Sequence, residues 1–367
     1  MHPAPIEGTA DPIPSTPVTV MGPAAAPTAS GQPGHPGCPK RMVFGPCGGV
    51  RPDGGCEMIA MPCVFDSVDQ VPVVAALDLP VAAAVRAPLV LTDLSAPPAD
   101  ASALAATARI LAASSDAVLM GDHQDRPDFP PAMLARIVAD AGAIPWVTLA
   151  CRDRNRVVLE QELNGIRHDG LATVLCVTGD GRAFDVRPDV TQVFDLDGTR
   201  LAALAASMGV PVAVAETPSA PPARVRPLRL VQKQRAGAGI AVLNHVRTAA
   251  QVAAFVTAAR NAGLTIPVVA SVAVYTDERS ASALTALPGL EIDPATVQQV
   301  LMSDDPVAAG IAAAVTEARG LLAVDGVVGV NLSGMASSRG TAYAAQVQAE
   351  VGVQIREGIH PGEGAAP

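Results

Sequence analysis

A closed (β/α)8 barrel, the TIM-barrel class of α/β fold, is what this sequence predicts, and three observations carry the prediction. Short β-branched or apolar runs alternate eight times with Ala-rich helical stretches between about residue 70 and residue 355. That alternation fills roughly 270 residues, close to what eight βα units need. Aromatic residues supply only 2% of a chain that is 49% hydrophobic, so Ala, Val, Leu and Ile must pack the core. Small interiors of that kind suit helices laid closely on a parallel sheet. An open doubly wound sheet is the alternative, because strand ends read from one chain do not prove closure.

The elements follow in order. Residues 1–36 are rich in Pro, Ala, Gly and Thr without a hydrophobic period, which predicts a disordered arm. Residues 37–67 form a Cys-rich segment, dense in Gly and Pro and too short for a core of its own. The barrel is expected over 70–355. Its strands are expected at 88–93 (PLVLTD), 117–120 (AVLM), 144–149 (IPWVTL), 173–178 (TVLCVT), 212–215 (VAVA), 239–243 (GIAVL), 267–271 (PVVAS) and 326–331 (GVVGVN). Each is short, apolar and mostly β-branched, as a strand buried on both faces should be. Helices are expected over 101–113, 131–141, 156–162, 200–208, 248–262 and 305–318.

Charge and compartment narrow the function. The chain has 367 residues and a formal net charge of -10, and phosphate-backbone binding needs a concentrated basic surface, so no nucleic-acid partner is expected. The N-terminus lacks the positive and apolar regions of an export signal, and Asp78, Pro80 and Arg86 interrupt the most apolar run. No membrane partner is expected, and the cytoplasm is the expected compartment. In a barrel, chemistry sits where strands end at the C-terminal rim. The polar residues there are Asp93, Asp122, His123, Thr148, Asp180, Glu216, Asn244, His245 and Asn331. An Asp or Asn at such a place can equally cap the following helix.

The stretch CPKRMVFGPCGGVRPDGGCEMIAMPC, residues 38–63, holds four of the six cysteines at spacing C-x8-C-x8-C-x6-C. A reducing compartment disfavours a disulfide knot. Four thiolates in a segment without a core can organise it around one metal, which makes Cys38, Cys47, Cys56 and Cys63 the candidate ligands. The spacing matches neither a zinc ribbon nor a ferredoxin run, so zinc and [4Fe–4S] both stand as readings. Cys151 and Cys176 fall in or beside buried strands and read as small core residues.

The stretch NGIRHDGLATVLCVTGD, residues 164–180, resembles the segment of methylenetetrahydrofolate reductases in which Asn-Gly-Ile-Arg-His leads into strand 4 and ends in Arg-Gly-Asp. PLVLTDLSAPP, IPWVTLACRD and LVQKQRAGAGIAVLN are similar to further segments of that family, in the same order, between about residues 88 and 335. CPKRMVFGPCGG…GGCEMIAMPCVF is similar to the Cys signature of the small C-terminal or partner domain that accompanies some bacterial reductases of the family.

The resemblance implies a barrel that binds FAD, takes hydride from NADH or NADPH, and reduces methylenetetrahydrofolate to 5-methyltetrahydrofolate. It implies Asp93 as the catalytic acid, in the place of the family's glutamate. Asp180 would lie by the flavin pyrimidine, with Gly179 and Gly181 allowing close backbone approach. Lys233 aligns with a lysine suited to a diphosphate, Thr148 is retained in the cofactor site, and Asn244 replaces the glutamine of the shared nicotinamide and folate site. The departures are equally plain. Thr178 replaces the arginine of Arg-Gly-Asp, Trp146 stands where the family has His, and the aromatic cluster around the flavin is nearly absent. A flavin-free folate reductase is therefore an alternative. A degenerate barrel that docks a protein partner or relays electrons through the Cys-rich segment is another.

Overall fold

A computed structural model describes residues 33–77, 87–123, 126–181, 187, 189–287, 290–334 and 336–359. Most of the expected N-terminal arm, and Asp78, Pro80 and Arg86, therefore lie outside the described residues. Eight parallel strands close into one barrel in sequence order. They are β1 (Leu89–Leu94), β2 (Ala117–Met120), β3 (Pro145–Ala150), β4 (Thr173–Val177), β5 (Val212–Glu216), β6 (Ile240–Leu243), β7 (Val268–Ala273) and β8 (Val327–Ser333). Closure comes from β1 pairing with β8 in register Leu91 to Asn331, which decides for the barrel over the open sheet.

The helices that follow the strands are α1 (Ala101–Ala112), α2 (Pro131–Asp140), α3 (Arg156–Asp169), α4 (Gly198–Ser207), α5 (Arg226–Arg235), α6 (Ala249–Asn261), α7 (Glu278–Thr285), α8 (Pro294–Leu301), α9 (Pro306–Leu322) and α10 (Thr341–Ile359). Their starts are set by side chains. Asp100, Asn155, Asp197, Thr248, Asp277, Asp293 and Asp305 each accept a backbone N–H of the first turn. The capping is thus carried a few residues beyond the strands, and Asp93 stays free of it.

Strand alternation sorts the core into two shells. Leu89, Leu91, Leu119, Trp146, Leu175, Ile240, Val242 and Val269 fill the barrel interior. The opposite faces, with Val90, Val118, Leu149, Val174 and Val330 among them, pack under the helices. Trp146 is a filler of the interior and lies below the rim. Small residues let elements close up: a Cβ at Gly329 would meet the backbone of Leu89, so β8 can lie against β1 only with glycine there.

The Cys-rich segment has turns and a single bridge between Gly55 and Pro62 as its regular structure. Its apolar residues join the barrel: Phe44 belongs to the shell under the helices, and Val43 packs against it. The last residues of the expected arm fold onto this cap, where the His35 ring meets Phe65 edge-on at 5.3 Å.

Candidate functional site

The cap lies across the C-terminal ends of β4 and β5. Lys40 is buried there, 2% exposed, and its ammonium donates to Glu57 Oε1 at 2.6 Å and to the carbonyl of Gly179 at 2.6 Å. Glu57 turns its other oxygen to the backbone N–H of Gly181 at 2.8 Å, and the Cys47 thiol donates to Oε1 at 2.9 Å. Burial would raise the Glu57 carboxyl, but Lys40, Cys47 and Gly181 outweigh it and hold it below the usual range. A Cβ on Gly181 would stand 2.6 Å from the Met58 sulfur. The glycines of the Thr-Gly-Asp-Gly stretch thus make room for the cap and for Arg152, whose Cβ is 2.9 Å from the place of a Cβ on Gly179.

Helix α5 supplies the second anchor. Arg226 is fully buried and donates to the Pro46 carbonyl at 3.2 Å, while Arg229 Nε donates to the Phe44 carbonyl at 3.1 Å. Both guanidinium groups also flank Glu216 at the end of β5, at 3.5 and 3.6 Å. Lys233 Nζ lies 2.9 Å from Glu216 Oε2 and also donates to the Ala215 carbonyl. Burial alone would raise Glu216; these three cations hold it well below the usual carboxylate range. Burial pulls Lys233 down, against the pull of Glu216. Glu216, Arg226, Arg229, Lys40 and Glu57 are site residues that the rim inspection either left without a role or did not reach. Their partners are too distant in sequence to be read from it.

Between cap and rim lies a cavity of about 300 Å³. Thr148, Gly179, Asp180, Lys233 and Asn244 all line it, so the structure brings these five candidates together. Lys40, Cys47, Gly48 and Gly49 form its cap wall, and Ala150, Leu175, Val177 and Ala215 its apolar floor. Asn244 Nδ2 donates to Thr217 Oγ1 at 2.9 Å. Burial pushes the Asp180 carboxyl up, with Glu57 adding to the rise and Lys40 opposing it.

Asp93 is on the other side of the mouth and does not line that cavity. Asn331 Nδ2 donates to its Oδ1 at 3.0 Å, and Ser333 is its other hydrogen-bonding neighbour. Burial pushes its carboxyl up to about 6 against these two bonds. The buried Oδ1 of Asn331 has no hydrogen-bond partner among the described residues. Asn331 was visible as a rim residue but not as the partner of Asp93, because the β1–β8 closure that joins them spans the whole barrel.

The family model for methylenetetrahydrofolate reductase matches residues 117–346, well over half of the chain. The chain belongs to the methylenetetrahydrofolate reductase family. The match begins after β1, so the cap and Asp93 lie outside it. No curated protein matches. Among solved structures, an uncharacterized protein from Clostridium thermocellum that binds two copies of 5-methyl-5,6,7,8-tetrahydrofolic acid is similar at 12% identity and a TM-score of 0.50, over 73% of this chain and 96% of that one. Oxaloacetate acetylhydrolase is similar at 13% identity and a TM-score of 0.41, over 77% of this chain and 85% of that one.

Reductases of this family imply a flavin, and the rim residues here do not fit one. The Gly179 carbonyl and the Gly181 N–H are already bonded to Lys40 and Glu57, and the guanidinium groups of α5 to cap carbonyls and Glu216. The remaining cavity is at the lower end of the size range for ligand sites, well short of a dinucleotide. All four cap cysteines are free and border one small cavity of about 20 Å³. Among the described residues, no group of three or more His, Cys, Asp or Glu side chains is placed to hold an ion. Among the described residues, no helix is long and apolar enough to cross a membrane.

Proposed function

We infer that the protein is a methylenetetrahydrofolate reductase in which Asp93 supplies the proton and NADH or NADPH the hydride. The observation that carries this reading is Asp93 itself. It is a carboxyl at the end of β1, raised by burial and held by two neutral partners, in a barrel of this family. A proton passed to N10 of the folate breaks the bond from N10 to the bridging carbon. The N5 iminium left behind accepts the hydride and becomes N5-methyl, while the nicotinamide leaves oxidised. A carboxylic acid whose pKa lies near the working pH suits the first step. Asn331 keeps a buried oxygen without a partner beside Asp93, and in this reading a pterin N–H would supply one. The folate-binding neighbour of the same fold supports a folate ligand.

The test is to incubate the purified full chain with NADH or NADPH and methylenetetrahydrofolate and follow 5-methyltetrahydrofolate by mass spectrometry. Formation of product at the rate of nicotinamide oxidation is expected. No product with either nicotinamide would sink the reading.

A further inference from the structure

We propose that the cap stands in the flavin's place: Lys40, Glu57 and the 45–49 turn close the β4–β5 side of the mouth into a pocket for one nicotinamide ring, which passes hydride to the folate without a flavin carrier. This rests on the reductase reading and adds to it the residues that choose the hydride donor.

Three observations converge on it. The first is occupancy. Lys40 donates to the Gly179 carbonyl and Glu57 accepts from the Gly181 N–H, while the carbonyls of Phe44 and Pro46 and the carboxylate of Glu216 engage Arg229 and Arg226. A flavin's pyrimidine and diphosphate would have to displace internal partners at both places, each a charge-assisted bond formed without a binding cost.

The second is fit. Cap and barrel interlock through glycines: a Cβ on Gly48 would stand 2.8 Å from Thr217 Oγ1, and one on Gly45 3.0 Å from Arg229 Cδ. Gly49 leaves room only for Glu57. The GPCGG sequence is therefore shaped to seat on this rim, and the seated position is the one that shortens the cavity.

The third is the chemistry of what is left. The cations around the cavity are already paired, Lys40 with Glu57, Arg152 with Asp122, and Lys233 and Arg229 with Glu216, and burial pushes up the one further carboxyl that lines it, Asp180. Such a site asks for an uncharged planar head, with an apolar floor beneath it and the amide and hydroxyls of Asn244, Thr217 and Thr148 for its polar edge. The dihydronicotinamide carboxamide ring meets that description, and its diphosphate can stay in solvent. The electron count closes without a further carrier. Two electrons and a proton leave the dihydronicotinamide as hydride, the folate methylene carbon takes them, and the proton on N10 comes from Asp93.

The experiment uses the full chain and three binding readouts that do not depend on turnover. The protein as purified is heat-denatured and the supernatant assayed for flavin. FAD is then titrated against Trp146 fluorescence, and NADH and NADPH are each titrated by their own fluorescence. No released flavin, no response to FAD and saturable binding of at least one nicotinamide are expected. Stoichiometric flavin in the purified protein, saturable FAD binding, or absence of binding by both nicotinamides would each overturn the proposal. Where turnover is present, initial rates at varied NADH and folate should give intersecting lines, and parallel lines would also overturn it, since they mean that a carrier holds the hydride between substrates. The double variant Lys40→Met/Glu57→Gln removes the ion pair and leaves no unpaired charge between the two. It should weaken NADH binding about tenfold, the size of one charge-assisted contact. Unchanged NADH affinity in the folded variant would overturn the role of the pair. Loss of turnover with NADH bound and flavin absent counts against the reductase reading alone.

Discussion

The two sides of the barrel mouth solve opposite problems. On the β4–β5 side, buried charges are numerous and answer one another: Lys40 with Glu57, and Glu216 with Arg226, Arg229 and Lys233. On the β1–β8 side stands Asp93, whose carboxyl has an amide and a hydroxyl as its side-chain partners. The first arrangement holds its carboxylates ionised and still. The second leaves a carboxyl that exchanges its proton near neutrality, beside an amide oxygen still without a partner. Internally satisfied polar groups build a site, and incompletely satisfied ones carry its chemistry.

The largest expected effect breaks the β1–β8 side. Asp93→Asn keeps the shape and the bond from Asn331 but has no proton to give, so turnover should fall about 10²- to 10⁴-fold. Stability should move the other way. The folded pKa of about 6 lies above the ordinary aspartate value, so ionising Asp93 costs stability as pH rises between the two. Denaturant melts should show Asp93→Asn no less stable than the parent at pH 8. A variant with parental turnover would remove Asp93 from the mechanism.

Next in size is the β4–β5 side. Glu216→Gln leaves three buried cations without their counter-ion, and loss of about 3–5 kcal/mol is expected in a denaturant melt at pH 7. The same substitution should leave the pH dependence of turnover in place, because Asp93 is not among its contacts. A change of less than about 1 kcal/mol, the scale of an exposed ion pair, would mean that the cluster is solvated and the side less closed than described.

Much of this contrast was legible in the sequence, though unevenly. The barrel was readable because eight apolar runs of matched length, spaced by Ala-rich helices, have few other ways to bury both faces. Strand β2 coincides with its expected range, and the other seven differ by one or two residues at their ends. The helices α5, α7 and α8, and the long α10, were not singled out. Asp93, Thr148, Asp180 and Asn244 stand out in the sequence because chemistry in this fold gathers where strands end, whereas Lys233, on a helix, stands out only through the family resemblance. What fills the space before them was out of reach. Gly179 and Gly181 are needed for close approach, but the approaching groups are Lys40, Glu57 and Met58, more than a hundred residues earlier in the chain. Lys233 and Glu216 were each noticed, and no spacing rule says that a helix lysine folds back onto the preceding strand end. The cysteines show the converse: their clustering was plain, yet the folded segment takes its core from the barrel.

The smallest expected effect joins Asp93 to its neighbour. Protonated Asp93 is the form that acts, so turnover should be level at low pH and fall as pH rises through about 6. Asn331 donates to the carboxyl and favours its ionised form, as does Ser333. Asn331→Ala removes one of those two bonds and leaves burial in place, so the Asp93 pKa should rise further and the descending limb should move to higher pH. At pH 8 the variant should then lose less of its own maximal turnover than the parent does. Its KM for folate should rise several-fold at every pH, because the oxygen offered to the pterin is gone. A pH profile that keeps its midpoint while KM rises would separate the two roles, leaving Asn331 as a substrate contact that does not set the proton affinity of Asp93. A midpoint that moves down would mean that the amide faces the protonated carboxyl instead, and that burial holds less of the shift than the geometry assigns to it.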